Sequence, residues 1–141
     1  MAKFDLSKMD TRAAGANAVA MTLEHPTTEE PLTDDAGNPW TITLYGSDSE
    51  VYRKAQRKIV DRRLAEAKAK GGKFKMNANM AEEELTELLV ECTAGWSGLE
   101  ENGAPIEFNT ANVRGVYARY PWIREQAMAF VSTRSNYLGN S

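Results

Sequence analysis

Two short runs of alternating side chains limit what this chain can fold into. Val19, Met21 and Leu23 alternate with Ala20, Thr22 and Glu24, and Trp40, Ile42 and Leu44 alternate with Thr41 and Thr43. A period of two places one set on a covered face and the other on an open one, so both runs read as half-buried strands. Between them, His25-Pro26 through Asn38-Pro39 is rich in Pro, Thr, Asp and Gly, the composition of a long hairpin loop. Two strands alone are marginal in water. They must pack on helices, gain a third strand or pair with another molecule.

Most of the remaining chain has helical patterning. Ser47 and Glu50 stand at capping-box spacing after Gly46, which starts a first helix. Its apolar residues Tyr52, Ala55 and Ile59 continue into Val60, Leu64 and Ala67, a stripe that drifts around the helix until Gly71-Gly72 stops it. A second helix begins near Asn79 with Glu82, Glu83 and Glu84 in its first turn, where carboxylates meet the positive end of the helix dipole. Leu85, Leu88, Leu89 and Cys92 form its core face. Trp96 then falls in a loop between Gly95 and Gly98, a turn follows at Asn102-Gly103, and Pro105 to Phe108 is extended. Asn109 or Thr110 can cap a third helix carrying Val113, Val116, Tyr117 and Tyr120. Pro121 breaks it and opens a fourth helix, with Ile123, Ala127, Phe130 and Val131 on one side.

The expected fold is therefore α+β and α-dominated: a small N-terminal antiparallel β-hairpin module followed by a compact bundle of about four helices. Residues 1–16 form a flexible arm, 17–48 the hairpin, 49–137 the helical domain with a Gly-Gly linker near 71–78, and 138–141 a frayed end.

No run approaches the roughly 20 apolar residues of a membrane span, and the first residues lack the apolar centre of a signal peptide. With Cys92 as the single cysteine, the chain is expected in the cytoplasm. Its net charge of −3 hides an asymmetry: residues 51–75 hold ten Lys and Arg against two acids, while the segments before and after are acidic. Arg53, Lys54, Arg57 and Lys58 share one face of the first helix, with Arg62 and Arg63 beyond. Such a stripe can neutralise phosphates of a nucleic acid, or meet acidic surfaces of its own chain or of a protein partner. A pI near 5.3 and the lack of interleaved aromatics favour the protein reading.

Catalytic chemistry finds little support. The one histidine, His25, precedes a proline in a turn and has no cysteine or histidine nearby for a metal site. Cys92 lies on an apolar helix face, where a thiol packs as a small hydrophobe. Glu82, Glu83, Glu84 and Glu87 read as a helix start with an acidic face, and Asp34 to Asn38 as a turn, since neither supplies opposing ligands for a cation. No enzyme and no cofactor are expected. The candidate contacts for a partner are Trp40, Trp96, Tyr120 and Trp122, which could equally be core, together with Arg53, Arg57 and Lys58.

Several motifs carry a resemblance. Cys92-Thr93-Ala94-Gly95-Trp96-Ser97-Gly98 precedes an Asn-Gly turn and Pro105-Ile106-Glu107-Phe108-Asn109, followed by Asn112, Tyr117, Tyr120-Pro121-Trp122-Ile123 and Phe130. Upstream stand Glu24-His25-Pro26, then Leu44-Tyr45-Gly46-Ser47-Asp48-Ser49 and Tyr52-Arg53. Together they resemble the tail assembly chaperones of long-tailed bacteriophages and related prophages, over roughly residues 4 to 137. The resemblance implies a non-catalytic factor of the host cell cytoplasm, not expected in the mature virion. Its implied partners are the tape measure protein and tail tube subunits, whose premature polymerisation it prevents; a homo-oligomer is compatible with it. It also implies that a ribosomal slip near Leu138-Gly139-Asn140 can yield a longer product. A structural tail or head–tail component is the alternative, and a nucleic-acid-binding regulator using the basic helix is a third.

Overall fold

The computed structural model of the chain describes residues 5–72 and 75–138. The two alternating runs form strands β1 (Val19–Thr22) and β2 (Thr41–Leu44), paired antiparallel with Met21 opposite Ile42. The third strand comes from the other half of the chain. β3 (Thr93–Ser97) pairs antiparallel with the far side of β2, placing Trp96 opposite Ile42, so the sheet order is β1-β2-β3. One face is buried through Met21, Ile42 and Leu44; Ala20 and Thr22 on the other are exposed.

This placement corrects the loop expected around Trp96. Gly95 read as loop punctuation, yet a Cβ there would meet nothing within 4 Å, and its backbone does not need glycine. The turn belongs to Gly98, at φ +91°, where a Cβ would stand 3.0 Å from the Trp40 ring. Thr93 and Trp96 suit a pleated surface, and β2 has a second row of backbone groups to satisfy.

Among the described residues, a 3-10 turn (Leu6–Met9) and six α-helices accompany the sheet: α1 (Thr11–Gly15), α2 (Glu50–Ala69), α3 (Ala78–Cys92), α4 (Thr110–Arg119), α5 (Pro121–Ser132) and α6 (Ser135–Leu138). Two short strands, β4 (Glu100–Glu101) and β5 (Ala104–Pro105), flank the Asn102-Gly103 turn. The mixed α+β class with helix in excess is as expected; a separate hairpin module ahead of four helices is not the arrangement. β3 ties residues 93–97 into the sheet, and two extra one-turn helices, α1 and α6, pack on each other. Within the span expected as a flexible arm, Gly15 is buried, and its carbonyl accepts from the Gly46 N–H. Residues 1–4, and 139–141 of the expected frayed end, lie outside the described residues, as do Lys73 and Phe74 of the expected linker.

Local chemistry explains the helix boundaries. Ser49, not Ser47, caps α2: its Oγ accepts from the Tyr52 N–H and donates to the Gly46 carbonyl, fully buried. The Ser47 N–H is already committed to the Val131 carbonyl. Gly46 is required by contact, because a Cβ there would press on the Tyr137 ring at 3.1 Å. Asn77 caps α3 and Asn109 caps α4, while Pro121 opens α5. The core gathers Leu23, Ile42, Leu44, Leu89, Val116 and Tyr117 between sheet and helices, and the Tyr117 hydroxyl bonds Thr93 Oγ1 at 2.8 Å. Among the described residues, no helix is long and apolar enough to cross a membrane.

Candidate partner interface

The basic residues of α2 divide into a neutralised set and an open set. Arg62 meets Glu87 of α3 at 2.9 Å, and Arg63 clasps the buried Glu84 through its Nε and Nη2. This bidentate donation holds the Glu84 carboxyl below its usual range. Arg57 pairs with Glu50 two turns back on the same helix face. Lys54 and Lys58 form no ion pair among the described residues, and Arg53 is exposed. The run Glu82 to Glu87 is thus partly an ion-pairing face toward α2. Glu82 adds a longer approach of 3.9 Å to Arg124.

The four candidate aromatics lie on other elements, half-buried against the core. Trp96 donates from Nε1 to the Ile106 carbonyl at 2.9 Å and meets Phe108 edge-on at 5.3 Å. Trp40 packs near Gly98, its indole N–H buried without an acceptor among the described residues. The Tyr120 hydroxyl donates to Glu101, and the Arg119 guanidinium stands 5.9 Å from its ring centroid. Trp122 sits in the first turn of α5. Among the described residues, no hydrogen bond, ion pair or ring contact joins these aromatics to Arg53, Arg57 or Lys58. The expected contacts do not converge on one site.

An uncovered stripe that sequence reasoning missed lies beside the basic residues. Val60 is 43% exposed and Leu64 64%, and Met76, after the end of α2, is 40% exposed. A shallow groove of about 270 Å³ between α2 and α3 runs past Ile59, Val60, Met76, Leu85 and Leu88. The signal was present in the drift of the apolar positions. At about 100° per residue, Val60, Leu64 and Ala67 centre roughly 110° around the helix from Tyr52, Ala55 and Ile59. One helix therefore carries two apolar stripes, and only the first faces the core. By the same geometry Arg53 falls in line with the second stripe, and Arg57 and Lys68 on its flank.

His25 and Asp34 organise turns, and Cys92 packs in the core. The His25 Nδ1 accepts from the Thr27 and Thr28 N–H groups at 3.2 and 3.3 Å, closing the turn after β1. Burial pushes the Cys92 thiol up to about 12, so it stays protonated and unreactive at neutral pH. Asp34 accepts from the Ala36 and Asn38 N–H groups, as a turn-forming Asp does. Among the described residues, no three His, Cys, Asp or Glu side chains are placed to hold a metal ion. Compared with models of protein families, with curated proteins and with solved structures, the chain matches none.

Proposed function

We propose that this chain is a bacteriophage tail assembly chaperone, a non-catalytic factor that binds the tape measure protein and tail tube subunits and keeps them from polymerising early. The motifs around Gly95-Trp96, Pro105 to Asn109 and Tyr120-Pro121-Trp122 suggest the family. The observation that carries the reading in the structure is the second apolar stripe of α2. Val60, Leu64 and Met76 are large side chains left partly to solvent beside exposed Arg53 and Lys68. A holding factor needs apolar surface that a client can cover and release, with charge nearby to steer encounter. The acidic partners of Arg62 and Arg63 also weaken the nucleic-acid alternative, because they leave fewer cations to neutralise phosphates.

The test is co-purification of the tagged chain with the other late proteins of its own genome, followed by inspection of purified particles. Recovery with a long helical protein and absence from particles is the expected result. Presence in particles at fixed copy number would instead make it a structural component.

A further inference from the structure

β1 is an edge strand whose outer row of backbone groups is only partly occupied. Its odd-numbered residues turn their backbone toward β2: Met21 lies opposite Ile42, and the Leu23 N–H donates to the Trp40 carbonyl at 2.9 Å. By the alternation of a strand, the N–H and C=O groups of Ala20, Thr22 and Glu24 point away from the sheet. At Glu24 a side chain takes them. Gln126 of α5 accepts from the Glu24 N–H at 3.0 Å and donates to the Glu24 carbonyl at 2.8 Å. Its amide stands where the peptide unit of a fourth strand would stand. Among the described residues, nothing does the same for Ala20 or Thr22.

Beside Thr22 a groove of about 380 Å³ separates β1 from α5, lined by Met21, Thr22, Gln126, Ala129, Phe130 and Thr133. The strand Val-Ala-Met-Thr carries no lysine, proline or bulge of the kind that usually blunts an open edge.

We propose that this edge receives an extended segment of another polypeptide as a fourth, antiparallel strand. Alternating outward donors and acceptors are matched by a second extended backbone, the basis of recognition by strand addition. A second copy pairing β1 with β1 about a twofold axis fits poorly. Gln126 already fills the strand position beside Glu24, so α5 of each copy would stand in the path of the other's sheet. The groove sets the chemistry of the guest: Ala129 and Thr133 leave room for an inward side chain the size of alanine or valine. The loop end of the edge carries exposed Glu24, Glu29 and Glu30, none in an ion pair among the described residues. An antiparallel guest runs with its N-terminal end toward them and stops short of the position that Gln126 fills, so a lysine or arginine side chain at that end complements the acids. This inference stands apart from the chaperone reading and holds or fails without it.

The experiment is amide hydrogen exchange on the full chain, with and without the amidated hexapeptide Lys-Thr-Val-Thr-Val-Thr. Bound peptide should slow exchange at Ala20 and Thr22 by about tenfold or more, since newly paired amides exchange only on opening. A peptide with glutamate in place of the lysine should protect less. Ala129→Phe, which fills the groove and leaves the β1 backbone intact, should abolish the protection. Thr22→Pro, which removes one outward N–H, should do the same if circular dichroism shows it folded. Unchanged exchange at millimolar peptide, or equal slowing in Ala129→Phe, would overturn the proposal. So would a concentration-dependent dimer that protects the same amides without peptide.

Discussion

From Glu50 to Ile59, α2 lays Tyr52, Ala55 and Ile59 against the core, each less than a tenth exposed; from Val60 to Ala69 the same helix leaves Val60 43% and Leu64 64% exposed. The residue types are alike, and so is the helical geometry. What differs is the neighbour. α3 reaches the distal half along one side only and fastens it there with Arg62–Glu87 and Arg63–Glu84. The apolar positions of that half point elsewhere. A helix can thus be amphipathic twice, once toward its own fold and once toward something outside it.

Truncating a side chain in each half should split the two stripes most widely. Ile59→Ala removes buried methyl and methylene groups and leaves a cavity, so it should cost about 2–4 kcal/mol in urea unfolding at unchanged fold. A loss as small as that of an exposed residue would mean that the proximal stripe is not core.

The ion pairs that hold α3 to the distal half supply a second, smaller contrast, visible in acid. The Arg63 hydrogen bonds set the folded pKa of Glu84 below its ordinary 4.5, with burial opposing them. A depressed carboxyl contributes stability that is fully present above its unfolded value and is lost as pH falls through the folded one. Glu84→Gln removes that contribution. The wild-type urea midpoint, followed from about pH 7 to about pH 3, should therefore fall more than that of the variant. Parallel profiles would show that Glu84 titrates alike folded and unfolded, and that the clasp adds nothing to stability.

These contrasts show how far the sequence reaches. Alternation at Val19–Leu23 and Trp40–Leu44 was enough to locate β1 and β2, because a period of two is local information. Leu88, Leu89 and Cys92 likewise announced the buried face of α3, and Pro121 the break before α5. The third strand was not legible, because Gly95 resembles a turn residue until β2 is present to pair with its neighbours. The cap shifted from Ser47 to Ser49 for a similar reason: the Ser47 N–H is held by Val131, more than eighty residues away in the chain. Drift of the apolar stripe past Ile59 was visible, but whether a drifting stripe is covered depends on where α3 lies. The aromatics were open to either role from sequence, since their partners are distant or on other elements. Trp96 and Tyr120 have the composition of anchors, and their polar atoms bond Ile106 and Glu101 while their rings stay half-buried.

The smallest expected change in stability carries the most information about what the distal half is for. Val60→Ser and Leu64→Ser replace side chains already exposed, so each should alter stability by no more than about 0.5 kcal/mol. If the second stripe is the surface that a client covers, the double variant should still fold and should fail to co-purify with the client. Arg53→Glu and Lys68→Glu, in a chain otherwise unchanged, should mainly slow association and make it less sensitive to salt, as charges at the rim of an interface do. Separating the two variants distinguishes contact from steering. Full recovery of the client by the Val60, Leu64 double variant would move the binding surface off α2 and leave its distal stripe without a role in holding clients.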